Sequence, residues 1–542
     1  MVILFYLTST VALTAVILLS AVWPPAIWLL ALVGPLVLLG IYDTIQSKHA
    51  IRRNFPLLGR LRYLFEFIRP ELQQYFIESE TDGRPLSREM RSIIYERAKD
   101  VRDTMPFGTQ HDVYETGYEW INHSLAAHAL PELDPRILVG GKDCKQPYSA
   151  SVLNTSAMSF GALSHAAVEA INGGAKLGGF FQNTGEGGLT RYHLEPGGDV
   201  CWQIGTGYFG CRDSEGNFDP ELFQKNATHP NVKMIEIKLS QGAKPGHGGI
   251  LPAIKNSPEI AAIRGVPVGT TVISPPGHTA FDSPLSLCAF IKKLRDLSGG
   301  KPVGFKLCLG VPSEFVSICM GMKQTGILPD FITVDGGEGG TGAAPPEFSD
   351  SMGVPLTEGL LIVNNALVGF DLRDQIRVIA SGKIFQAFDI ASRIAVGADM
   401  CNSARGFMLS IGCIQARRCN TNACPTGVAT QEAKLIRGLV VKEKRTRAAS
   451  YHRRTVESFV ELLAAAGLSH PSQLQPRDVF RRISRDEVLT FAEIYDYLEP
   501  GSLLKETPIQ HTGKFFWAHW LSKASVDSFH DTRLKGRPKV EA

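Results

Sequence analysis

Between Ser149 and Met408 the chain repeats one pattern, a short β-rich run followed by a longer helical stretch. The runs are "SVLNTSAMSFG", "GGFFQNTGEGG", "VCWQIGTGYFG", "VKMIEIKLSQG", "GTTVISPPG", "VGFKLCLG", "FITVDGG", "IRVIASG" and "DMCNSARGF". Helical segments such as "ALSHAAVEAINGGAKL", "PLSLCAFIKKLRDLS", "SEFVSICMGMKQTG" and "KIFQAFDIASRIAVG" lie between several of them. Alternation of this kind implies a parallel sheet, because strands that run the same way need a crossover and a helix provides it. Eight or nine strand candidates over about 260 residues fit a closed barrel better than an open sheet. The expected fold class is therefore α/β, a (β/α)8 TIM barrel. Nearly every run ends in Gly, Ser, Asn or Gln. The C-terminal strand ends of such a barrel carry its chemistry, so binding groups are expected there.

The N-terminus obeys a different rule. No Asp, Glu, Lys or Arg occurs between Met1 and Tyr42. The stretch is too long for a signal-peptide core and lacks a basic leader. Trp23–Pro25 divides it into two apolar runs of roughly the ~20 residues that span a bilayer. We expect two transmembrane helices over 1–43. Lys48, Arg52, Arg53, Arg60 and Arg62 follow, which places the downstream chain in the cytoplasm of a multi-pass inner or plasma membrane protein in contact with lipid. A helical connector is expected over 44–148, the barrel over 149–431, and a helical extension with a disordered tail "KGRPKVEA" over 432–542. The net charge of +3 gives no reason to expect a nucleic-acid partner.

"VDGGEGGTGAAP" holds a GxGxxG at Gly337, Gly339 and Gly342. A dinucleotide fingerprint must open directly into a helix, and Pro345 and Pro346 follow instead. The better reading is a backbone N–H cradle for a phosphate at a barrel rim, with "ASGKI" around Gly382 as a second set of donors. "NTSAMSFG" and "QNTGEGG" end the first two strands with side chains that both donate and accept, as the pyrimidine edge of a flavin requires. Lys238, Lys244 and Lys306 lie in or just after strands. A buried Lys306 needs an anion, either a barrel carboxylate or a reduced flavin ring.

Three of the ten cysteines, Cys413, Cys419 and Cys424, fall in "GCIQARRCNTNACPTGVATQ" with spacing C-x5-C-x4-C. Paired short knuckles suited to zinc are absent, and a cytoplasmic thiol stays reduced. Three cysteines on one loop ending in Cys-Pro favour an iron–sulfur cluster, with three irons or with four and a non-Cys ligand. Cys401 lies nearby but in a strand-like run.

In order, "MSFGALS", "NTGEGG", "QGAKPGHGG", "ISPPGH", "DGGEGGTGA" and the cysteine loop closely resemble the FMN-binding synthase domain of glutamate synthases, over roughly Ser149–Gln431. The resemblance implies an FMN barrel with a [3Fe-4S] cluster ([4Fe-4S] as the variant) on Cys413, Cys419 and Cys424. It implies reductive amination of 2-oxoglutarate, through 2-iminoglutarate, to L-glutamate. FMN would be held by Met158, Ser159, Gln241, Lys306, Gly339, Gly340, Thr341, Gly342 and Gly382. Lys244 and Arg264 would meet the substrate carboxylates, with Glu186 beside the reacting carbon.

Two departures bear on this. The family's substrate loop commonly reads KPGEGGQ; here "KPGHGGI" puts His247 and Ile250 in place of an acid and a glutamine. A glutamine amidotransferase domain with its N-terminal Cys is not expected, since no Cys precedes Cys144. Ammonia would then come free or from a separate amidotransferase subunit, and electrons from a ferredoxin, another redox protein or a quinone. The alternatives are an FMN enzyme acting on a related oxo acid or making an N-substituted glutamate, an FMN barrel of the 2-hydroxy-acid oxidase or isopentenyl-diphosphate isomerase type, and a non-catalytic membrane-tethered redox or metabolite sensor.

Overall fold

The computed structural model describes residues 1–101, 104–128, 134–505 and 516–529; the tail read as disordered lies outside them. The chain forms two compact units, Met1–Glu89 and Met90–Ala542.

In the first unit, helices Val2–Val22 and Leu30–Ile45 flank a short 3-10 turn, Pro24–Leu29. Pro24 and Pro25 cannot donate to the preceding turn, so the first helix stops there. The segments Val2–Val22 and Pro24–Ile45 are each long and apolar enough to cross a membrane, with mean hydropathy of 2.4 and 2.1. Asp43, near the end of the second helix, is buried and paired with Arg60 at 2.7 Å. Helix Leu58–Leu72 follows.

The second unit holds a closed barrel of eight parallel strands. They are β1 (Leu153–Thr155), β2 (Phe181–Asn183), β3 (Asp199–Ile204), β4 (Val232–Lys238), β5 (Val303–Leu307), β6 (Phe331–Asp335), β7 (Arg377–Ser381) and β8 (Met400–Ser403). β8 pairs with β1 through Asn402 opposite Asn154, which closes the ring. The expected barrel is therefore the observed one, and eight of the nine runs supply its strands. The ninth, "GTTVISPPG", contributes only Val272–Ile273, paired antiparallel with Ile250–Leu251 in the segment between β4 and β5. Pro275 and Pro276, which lack N–H donors, end it early.

Two other segments differ from expectation. The connector is not wholly helical. Its Glu119–Ile121 pairs with Val479–Arg482, where Trp120 stacks on Phe480 at 5.7 Å. Its Arg136–Val139 forms a hairpin with Tyr148–Ser151. Helix Val441–Ala465, assigned from sequence to the extension, packs on His165–Gly178, the helix after β1. It takes the place of the eighth barrel helix. The cysteine loop between it and β8 hides that relation in the sequence.

Side chains alternate along each strand, so every second residue faces the barrel interior. The lowest level is apolar: Phe181, Met234, Phe331, Ile379 and Met400 cluster with Ile137, Val139 and Ala150 of the hairpin. The next level is a hydrogen-bonded network around Glu236, which accepts from Asn183 at 2.8 Å, Gln203 at 2.6 Å and Thr333 at 2.7 Å. Three donors satisfy a buried carboxylate that, among the described residues, makes no ion pair. The top level, at the C-terminal strand ends, is charged.

Candidate active site at the barrel mouth

Lys238 ends β4 and Lys306 stands opposite it in β5. Two ammonium groups side by side repel, so each needs an anion. Lys238 pairs with Glu186 at 2.8 Å; Lys238 is buried and Glu186 nearly so. Lys306 lies 3.8 Å from Asp335, at the end of β6, which also accepts from the Gly242 N–H at 2.8 Å. The barrel-carboxylate partner considered for Lys306 is therefore present, at a length that leaves the ammonium free to turn to another anion.

Glu186 sits in the one-turn helix Gly185–Gly187 after β2. Ser274 donates to its Oε2 at 3.3 Å. Burial alone would raise its pKa, but Lys238, then Arg264 and Lys244, outweigh burial and hold the carboxyl at about 2. The backbone around it must be bare. A Cβ at Gly205 would lie 2.7 Å from that of Glu186, and one at Gly249 would collide with the Glu186 carboxylate.

Lys244 and Arg264 come from the long segment between β4 and β5. Lys244 donates to Ala343 O at 2.9 Å, on the glycine-rich loop after β6. Burial, and then the neighbouring Lys238, bring it down to about 8. Arg264 ends helix Pro258–Arg264 and donates to Phe160 O at 3.0 Å, in the loop after β1. Burial lowers it to about 10, its guanidinium covers the Phe209 ring at 5.1 Å, and its Nε is buried with no hydrogen-bond partner among the described residues. Five loops thus converge on one carboxylate and three cations.

The residues assigned to FMN lie on the same rim. Met158 and Ser159 follow β1 and Gln241 follows β4. The Gly339–Gly342 turn follows β6, and Gly382, with φ of +146°, follows β7. A flavin mononucleotide fits these groups on two observations. Asn402 Oδ1, level with Asn154 in the closed ladder, is buried and has no hydrogen-bond partner among the described residues. A Cβ at Gly340 would fall 2.9 Å from Arg405 Nε, so the glycine lets a guanidinium reach the cradle. Arg405 was not singled out from sequence. Its signal was the "SARGF" after β8, a third rim loop well placed for a phosphate.

Cys413, Cys419 and Cys424 are free thiols on the loop that follows β8. A Cβ at Gly342 would lie 4.0 Å from that of Cys419, so the loop borders the cradle. Tyr95 donates to Cys413 O at 2.8 Å, and Gln431 Nε2 to Gly161 O at 3.1 Å. Among the described residues no three His, Cys, Asp or Glu side chains close on a single metal ion. A cluster spreads its thiolates over several irons and needs them wider apart. The donor set fits one. Burial raises the Cys424 thiol, but the N–H groups of Ala429, Thr426 and Val428 and the Thr426 hydroxyl outweigh it and hold the thiol below its ordinary value. Burial pushes Cys413 up to about 12, with Cys419 and Cys424 adding to it and the Gln415 N–H opposing. Cys401 does not join them; it is buried in β8 within the main apolar core.

The family model described as the conserved region in glutamate synthase matches residues 134–469. The glutamate synthase large subunit-like protein YerD of Bacillus subtilis is 38% identical over 482 residues, covering 82% of this chain and 91% of that one. The archaeal glutamate synthase [NADPH] of Methanocaldococcus jannaschii is 33% identical over 332 residues, 61% of this chain and 62% of its own length. The ferredoxin-dependent glutamate synthase of Cyanidium caldarium is 36% identical over 307 residues, but only 19% of its length is spanned.

Proposed function

The chain belongs to the glutamate synthase family, and from that premise we propose that it forms L-glutamate from 2-oxoglutarate and externally supplied ammonia, through 2-iminoglutarate. The observation that carries this reading is the charge at the barrel mouth. Glu186 is flanked by Lys238, Lys244 and Arg264, three cations against one anion. A dicarboxylate neutralises the excess of two. Arg264, with its unpartnered Nε, suits one carboxylate in two-point contact, and Lys244 suits the other as a point charge.

FMN, when bound on the rim, supplies the hydride, and the cluster on the cysteine loop supplies electrons one at a time. Everything else falls to the chain. Lys238 keeps Glu186 ionised at neutral pH, so a fixed negative charge faces the carbon at which the imine's positive charge develops. Substrate carboxylates that engage Lys244 and Arg264 weaken their hold on Glu186. Its basicity rises on binding, and it becomes able to take up the proton released as ammonia adds.

We read the two apolar helices as a membrane hairpin, supported by the basic residues from Lys48 to Arg62, which leaves the barrel in the cytoplasm. The Methanocaldococcus jannaschii and Cyanidium caldarium relatives are named for NADPH and ferredoxin, respectively. For this chain the reading is a separate redox protein or quinone as donor, and a separate amidotransferase or free ammonium as nitrogen source.

A second reading concerns the substrate alone. His247 and Phe348 form a T-shaped pair with ring centroids 5.3 Å apart, and Ile250 lies half-buried in the two-stranded sheet beside the site. An imidazole where the family carries an acid, and an aliphatic side chain where it carries a glutamine, favour a related oxo acid or an N-substituted glutamate. Product analysis separates the two. Protein supplied with a chemical reductant, 2-oxoglutarate and ammonium forms L-glutamate on the first reading. Protein that carries flavin and iron but forms product only from another oxo acid or from an alkylamine supports the second.

A further inference from the structure

Lys255 is used by none of the steps above, yet it is 2% exposed. It lies in the short turn Ala253–Lys255 of the segment between β4 and β5. Its Nζ donates to three carbonyls on two separate loops: Ala162 O at 2.6 Å after β1, and Cys419 O at 3.2 Å and Ala429 O at 3.1 Å on either side of the last cluster cysteine. Among the described residues no carboxylate lies within ion-pair distance of it. Carbonyl dipoles satisfy its N–H groups but leave a full positive charge in the interior, which is costly without an anion. The Cys419 and Ala429 carbonyls that it holds flank Cys424, so the ammonium stands against the loop that bears the cysteines. Asn422 binds the same two segments together, donating to Ile254 O at 3.3 Å between the two cysteines.

We propose that Lys255 is the fixed counter-charge of the cysteine-bound cluster, a positioning residue that stabilises its more negative, reduced state and so raises its reduction potential. This rests on the cluster reading of Cys413, Cys419 and Cys424. The physical reason is that a reduced cluster carries one more negative charge than the oxidised one, in a site where burial makes screening weak. The same ammonium ties the cluster loop to the segment that bears Lys244 and Arg264, so the cluster and the substrate cations share one rigid support.

The test compares full-length wild type, Lys255→Arg and Lys255→Gln by iron and flavin content and by EPR-monitored redox titration. Lys255→Gln keeps hydrogen-bond donors and loses the charge; Lys255→Arg keeps both. The expected result is wild-type behaviour in Lys255→Arg. In Lys255→Gln the reduced-to-oxidised ratio of the cluster at a given potential falls at least tenfold, a negative shift of about 59 mV for one electron. Loss of iron from Lys255→Gln alone, with flavin retained, also supports the role of the charge. A Lys255→Gln protein with wild-type iron and an unshifted midpoint overturns it, as does equal loss of iron from both variants. Wild-type protein that holds flavin but no iron overturns instead the cluster reading beneath it.

Discussion

Replacing Lys238 by Met isolates what the Glu186–Lys238 pair contributes. The two groups are 2.8 Å apart with side chains 13% and 7% exposed, so water screens little of their attraction. The Glu186 carboxyl drops from 4.5 to about 2. At about 1.4 kcal/mol per unit, this is about 3 kcal/mol of stability. The folded pKa is depressed, so this contribution is fully present above pH 4.5 and is lost as the pH falls through about 2. Burial also lowers Lys238, which opposes folding, so the net worth of the pair is smaller than the carboxylate's share. Removing the ammonium exposes the full cost of a buried unpaired carboxylate, and Lys238→Met should cost about 3 kcal/mol at neutral pH. Glu186 then rises in pKa, because burial now faces only Arg264 and Lys244. Flavin-dependent turnover, flat in the wild type down to pH 5, should fall in the variant below about pH 6. Adding Glu186→Gln should restore more than half of the lost stability, because the stranded charge is gone. Urea denaturation gives the free energies and a pH–rate series gives the limb. Additive costs in the double variant, or an unchanged profile in Lys238→Met, would refute the reasoning.

Gly249→Ala places a methyl group against the Glu186 carboxylate; it should cut turnover by more than tenfold while flavin content, read by absorbance, is retained. Arg264→Lys loses two-point contact with a carboxylate and should raise KM for the oxo acid roughly 10- to 100-fold, an effect of about 1.4–3 kcal/mol, in initial-rate assays. Cys419→Ser should lower iron per chain sharply, whereas Cys401→Ser should leave it unchanged; metal analysis of the two variants tests the assignment of the ligands.

Strand order and barrel closure were legible because β-rich runs follow one another from β1 to β8 with helical stretches between several of them. What misled was punctuation. "TVIS" reads as a strand by composition, but the segment it belongs to leaves the barrel, and the prolines after it end pairing at two residues. The eighth barrel helix stood behind a cysteine loop, and a pattern that breaks for some thirty residues looks like a domain boundary. Site residues announced themselves where chemistry and position coincided, as for Glu186 in "GEGG" and Lys306 in "GFKLC". Lys255 and Arg405 did not. A lysine in "LPAIKNSPE" reads as a solvated turn, and only the three-dimensional meeting of the loops after β1, β4 and β8 shows that it is buried against carbonyls. Cys401 was open in the sequence because spacing alone cannot tell a strand position from a loop; its place in the apolar core decides it.

The most direct test of the proposed chemistry is anaerobic. Purified full-length protein, reduced until its flavin is bleached, is mixed with 2-oxoglutarate, with ammonium, or with both, and the return of flavin absorbance is followed. The account predicts rapid reoxidation only when both are present, and its loss in Lys244→Met. Reduced flavin that neither 2-oxoglutarate and ammonium nor any other oxo acid and amine reoxidises would contradict it.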